Sequence, residues 1–169
     1  MCKYLIILLI VSSFFNNSYS QTTAQLDQKN GFKEFKLGDA KSKWVSQLGR
    51  PNARLANTFD YAGECCREAF GFPLQNIGLS FSQANKLSTI YLQYGAQPLE
   101  QFRSILGSMN SAFGKASAFD SNDRTGDVKA QWFGDKVTLV TLAIYKGDGK
   151  WDMVIMLFDK ATTDPANDF

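Results

Sequence analysis

The alternation of apolar and polar positions divides the chain into elements. From Tyr4 to Phe15 it is apolar apart from Ser12 and Ser13. Lys3 precedes that run, Asn16 and Asn17 break it, and Ser18-Tyr19-Ser20 places small residues at both positions a signal peptidase reads. A charged start, a short apolar core and a small-x-small site predict a secretory signal over residues 1–20, cleaved after Ser20. The run is shorter than the roughly twenty apolar residues of a membrane anchor. Cys2 lies before the apolar core, not after it as a bacterial lipoprotein cysteine does. Gln21 to Asn30 is polar and expected to be a flexible lead, and residues 161–169, with Pro165, a loose tail.

Residues 31–160 carry the patterned part, read as one domain. Phe32, Phe35 and Leu37 predict a short extended segment ending at Gly38. Asp39 suits a helix cap, and Trp44, Val45 and Leu48 make one face of a helix over 39–48, stopped by Gly49 and Pro51. A second helix follows Pro98, with Leu99, Phe102, Ile105, Leu106, Met109 and Phe113 on one stripe and Gly114 at its end. Strands are expected over 64–70, at Ile77, Leu79 and Phe81, and over 87–94, 128–133, 136–145 and 151–158. Gly134-Asp135 and Lys146-Gly147-Asp148-Gly149-Lys150 supply hairpin turns.

The order, helix then three strands, occurs twice, so a tandem α-β-β-β duplication is expected with halves at about 39–94 and 98–158. Leu48-Gly49-Arg50 is echoed by Phe113-Gly114-Lys115, and Thr58-Phe59-Asp60 by Ala118-Phe119-Asp120. The expected fold class is α+β, a two-layer domain with an antiparallel sheet and both helices on one face. In 151–158 both alternating sets are apolar, which makes that strand either doubly covered or part of a contact surface.

The segment Gly31-Phe32-Lys33-Glu34-Phe35-Lys36-Leu37-Gly38, followed by a short amphipathic stretch and Leu48-Gly49-Arg50-Pro51, resembles the opening of exported bacterial domains of the SmpA/OmlA and beta-lactamase-inhibitor-protein-like group. The resemblance implies helices against an antiparallel sheet, often in tandem, and binding of other proteins without catalysis.

Composition narrows the chemistry. The 169 residues contain no histidine, which removes Ser-His-Asp and Cys-His catalysis and histidine metal sites. A formal charge of +2 announces no nucleic-acid partner. Beyond the signal no segment is long and apolar enough to span a bilayer, so a periplasmic or secreted protein is expected. Glu64 and Glu68, four residues apart in a strand, would stand about 13 Å apart, wider than a glycosidase pair. Asp120 to Asp127 departs from a calcium loop at Arg124 and lacks a closing glutamate. No catalytic residue, cofactor or metal is therefore expected.

Cys65 and Cys66 are the possible disulfide or thiol site. In a strand they would face opposite ways, one buried and one outside. A bond between them in a turn and an intermolecular bridge are the alternatives. As neighbours they lack the spaced partners of a tetrahedral metal site. Phe70, Phe72, Tyr91, Trp132, Tyr145 and Trp151 fall at strand ends or on expected outer positions and are the candidate protein-binding anchors. The leading expectation is an exported, non-enzymatic protein-binding domain whose partner is another exported or envelope protein, in an inhibitor, immunity or envelope-associated role. A small-ligand-binding periplasmic protein is the alternative, with a carboxylate-based hydrolase third.

Overall fold

The structure, a computed structural model, describes residues 23–162. The expected signal and the last residues of the expected tail lie outside the described residues. The chain opens with a short helix α1 (Ala24–Lys29) and a two-stranded hairpin, β1 (Gly31–Phe32) and β2 (Phe35–Lys36). Two 3-10 turns follow at Lys41–Lys43 and Val45–Gln47. Next come β3 (Leu48–Pro51), β4 (Thr58–Tyr61), a small hairpin of β5 (Glu68–Ala69) and β6 (Phe72–Pro73), β7 (Asn76–Phe81) and β8 (Leu87–Pro98). The long helix α2 (Leu99–Phe113) leads to β9 (Ala118–Asn122), β10 (Asp127–Phe133), β11 (Val137–Gly147) and β12 (Lys150–Asp159).

Eight strands form one antiparallel sheet in the order β3-β4-β7-β8-β12-β11-β10-β9. Each half is a four-strand meander, and the halves meet at β8 and β12. Strand makes up 49% of the described residues, so the protein is mostly β and not the expected two-helix α+β domain. The expected α-β-β-β unit is absent from the first half, because residues 39–48 form no α-helix.

The reason lies in what those residues pair with. Ala40 bridges Lys86, and Leu48 pairs with Tyr61, so both ends of the segment are drawn into extended backbone. Of the proposed stripe only Trp44 is buried, while Val45 is 61% exposed. One apolar anchor does not stabilise a ten-residue helix, which is marginal by itself. Asp39 caps nothing and instead pairs with the Lys43 ammonium at 2.8 Å. By contrast α2 forms where its stripe predicts, with Phe102, Ile105, Met109 and Phe113 buried against the sheet. Each such side chain contributes about 1.5–3 kcal/mol on burial.

The described part of the expected flexible lead, from Thr23 on, packs on the core. Leu26 of α1 is fully buried. The Asp27 carboxylate accepts backbone N–H bonds from Asp135 (2.6 Å), Lys136 (2.8 Å) and Val137 (2.9 Å), in the turn between β10 and β11. Partial burial alone would raise its pKa, but those three bonds and the Lys160 charge hold it below the usual 3.8. A depressed carboxyl adds stability above its unfolded pKa that is lost as pH falls through the folded value. Asp27→Asn is therefore expected to cost about 1–2 kcal/mol at pH 7. In urea unfolding, the gap between variant and wild type should close as the pH is lowered below 3.8; a gap that stays constant with pH would contradict the clamp.

Candidate functional site

The two faces of the sheet differ in cover. On one, Leu79, Ile90, Leu157, Leu139 and Trp132 form a cross-strand row, as do Ile77, Leu92, Ile155, Thr141 and Ala130. Both rows are buried, and the apolar members join Leu26, Phe35, Trp44 and the α2 stripe in one core. The alternate positions point the other way. There the rows run Gly78, Tyr91, Met156, Val140 and Gln131, then Gln93, Val154, Leu142 and Lys129, then Thr89, Phe158, Thr138 and Phe133. Ile144 lies on the same side, opposite Asp152.

Among the described residues no element packs over this second face. Tyr91, Leu142, Val154, Met156 and Phe158 are half-buried, Val140 and Thr89 are buried, and Phe133 and Ile144 are 45% and 42% exposed. The face is graded. Its β4–β7 side is polar, with Thr58 donating to Ser80 (3.0 Å) and Asn76 to Asp60 (2.7 Å). Its β12–β11 side is apolar. Tyr91 stands at the boundary against Gly78, where a Cβ would come within 3.3 Å of the Tyr91 Cβ and 3.4 Å of its ring.

The six expected anchors do not share a surface. Only Tyr91 is on the open face. Trp132 is fully buried, its indole N–H donating to the Gly114 carbonyl at 2.8 Å, so it is a core residue and no contact residue. Its alternation places it under α2, and that face could not be told from the other by periodicity. Trp151 is half-buried, donates to the Gly126 carbonyl at 2.7 Å, and packs on the exposed Tyr145 ring with centroids 4.9 Å apart. Phe70 and Phe72 sit on the β5–β6 hairpin against the core.

Phe70 also lines a cavity of about 260 Å³ on the covered side, floored by Leu92, Leu139, Ile155 and Leu157. At its mouth the Lys29 and Lys33 ammonium groups lie 5.4 Å from the Phe113 and Phe32 rings, respectively. The cavity is smaller than a drug-sized site, which begins at about 300 Å³.

Cys65 and Cys66 lie in a turn, not in the expected strand, of which only Glu68–Ala69 forms. Cys66 has φ 69, the left-handed region, and this puts both thiols on one side, each half-buried and unbonded. The Tyr61 hydroxyl lies 3.1 Å from the Cys65 sulfur and donates to the Gln47 side chain at 2.6 Å. Gly63 is required here, since a Cβ would collide with that hydroxyl. Burial, then the hydrogen bond with Cys65, push the Cys66 thiol up to about 11, against a lowering by the Glu34 backbone N–H. Burial and the Cys65 contact likewise raise Tyr61. Glu34, in the turn of the β1–β2 hairpin, places a carboxylate oxygen within 4.8 Å of both sulfurs. The sequence carried no signal for it, because Glu34 is far from the cysteines along the chain.

The other sequence features have local explanations. Asn122 accepts from the backbone of Arg124 and Thr125, so residues 123–126 are the hairpin turn between β9 and β10. Asp148 has φ 52 in the β11–β12 turn.

Trp132→Ala is expected to lower stability by about 3–5 kcal/mol, and Tyr145→Ala by about 1 kcal/mol or less. Urea titrations of the two variants check this assignment of core and surface; equal losses would contradict it. Compared with known protein families, curated proteins and solved structures, the chain matches none.

Proposed function

We propose that this is an exported, non-enzymatic protein-binding domain that meets its partner with the open face of the sheet. One observation carries the reading: an apolar surface over β12 and β11, made by Val154, Met156, Phe158, Leu142 and Ile144, over which no described element packs. Flat apolar surface of this kind is costly to leave in water and marks contact sites. Its layout, an apolar centre with Asp60, Asn76 and Lys129 toward the edges, suits a protein partner with a flat apolar patch and a polar rim. The Lys3-to-Ser20 signal pattern supports export and places the partner among exported or envelope proteins. The likeness of the Gly31–Gly38 and Leu48–Pro51 segments to exported inhibitor-type domains points the same way. No helix among the described residues is long and apolar enough to cross a membrane.

A small ligand is the second reading, and it rests on the cavity floored by Leu92 and Ile155 with Lys29 and Lys33 at its mouth. The open face is the larger unsatisfied feature and ranks first.

The test is affinity capture from envelope and secreted fractions with wild type, with Leu142→Lys/Met156→Lys on the sheet, and with Ser108→Lys on the exposed side of α2. Wild type and the helix variant are expected to retain one stoichiometric foreign protein. The sheet variant should bind it at least about thirtyfold more weakly, the loss of a hot-spot contact. Equal binding by the sheet variant, or recovery of a second copy of this chain alone, would contradict the reading.

A further inference from the structure

We infer that Glu34, Cys65 and Cys66 form a binding site for one thiophilic divalent cation of the zinc class. Among the described residues this is where three groups of metal-ligand type converge, their donor atoms all within 4.8 Å of one another. Two atoms bound to one tetrahedral zinc at about 2.0–2.3 Å stand about 3.3–3.8 Å apart. The triangle therefore needs to close by about 1 Å, within the reach of side-chain torsions.

Three features of the surroundings favour a cation. First, the chain holds Cys66 in a left-handed conformation, φ 69, which costs a non-glycine residue energy and turns its sulfur to the same side as that of Cys65. Second, the donors come from two pieces of chain far apart in sequence. The β1–β2 hairpin and the Cys65–Cys66 turn are locked around one aromatic group, with Phe35 at 4.9 Å from both Trp44 and Tyr61. Third, an outer donor is within reach. The Tyr61 hydroxyl, which donates to Gln47 and accepts from the Cys65 thiol at 3.1 Å, can turn its proton to the sulfur once Cys65 is deprotonated. Such groups hold thiolates for a metal.

On binding, each thiol gives up its proton to solvent, two per ion, and forms a metal–sulfur bond; one carboxylate oxygen supplies the third bond. Three negative ligands then face two positive charges. The fourth position is left to solvent or to a donor from a partner. The ligand set is soft enough to select zinc-class ions over magnesium or calcium, which take oxygen cages.

The experiment uses the reduced protein and Zn2+ alone as the probe. Expected are one ion per chain, protection of both cysteines from alkylation, and a raised unfolding midpoint. Cys65→Ser and Cys66→Ser should each abolish the protection of the remaining thiol. Glu34→Gln, at an exposed position that leaves the fold intact, should weaken binding tenfold or more. Alkylation at the same rate with and without Zn2+ would overturn the site. So would Glu34→Gln binding as tightly as wild type, which would mean thiols acting without the carboxylate. Isolation of the exported protein with Cys65 and Cys66 bonded to each other and no metal would also overturn it.

Discussion

The structure depends on how a wide sheet is kept from water. Eight strands at about 4.8 Å spacing span about 34 Å, and the one long helix, α2, is about 22 Å long and 10 Å wide. It can cover the middle of one face and no more. The remaining cover comes from short pieces: α1, the β1–β2 hairpin, the two 3-10 turns and the β5–β6 hairpin. None is stable alone, so each is tied down by a specific polar link. Asp27 clamps α1 to the β10–β11 turn. The buried Tyr94 hydroxyl donates to the Ala69 carbonyl at 3.1 Å and fixes the β5–β6 hairpin. Ala40 and Leu48 pin the 3-10 segment by strand-like pairing.

Two features follow from that arrangement. Among the described residues the cover lies on one face, and on the other Leu142, Val154 and Met156 are only half-buried. The same patchwork brings unrelated loops into contact. Glu34 meets Cys65 and Cys66 because the hairpin and the turn that carry them both wrap the Phe35, Trp44 and Tyr61 rings. A single continuous helix in place of these pieces would have presented no such junction.

Much of the sheet was legible in the sequence. Ile77, Leu79 and Phe81 alternate as strand residues do, and β8, β10, β11 and β12 fall close to their expected limits, as does α2. These elements carry their own periodicity. The elements that failed are those whose conformation is set by distant partners. The helix read over 39–48 was drawn into strand-like pairings, and α1 was hidden because a six-residue helix with Leu26 as its one buried residue has no pattern to detect. The edge strand β9, polar in Asp120, Ser121 and Asn122, gives no alternation and is held by pairing to β10. For the site, alternation shows that the two sets of residues in β12 face opposite ways, but not which set a helix covers. The pattern alone thus offers Trp132 to the surface, whereas in the structure it is core and Met156, Val154 and Phe158 hold the other face. The convergence on the cysteines was illegible because it is a contact between loops.

The central claim is that the open face is where a partner sits. A photo-crosslinking side chain placed at Val154 on the open face, or at Arg103 on the outer side of α2, tests it most directly in the native cell. The account predicts one discrete adduct with a foreign protein from position 154 and none from position 103. Adducts from position 103 alone, or from neither position, would contradict it.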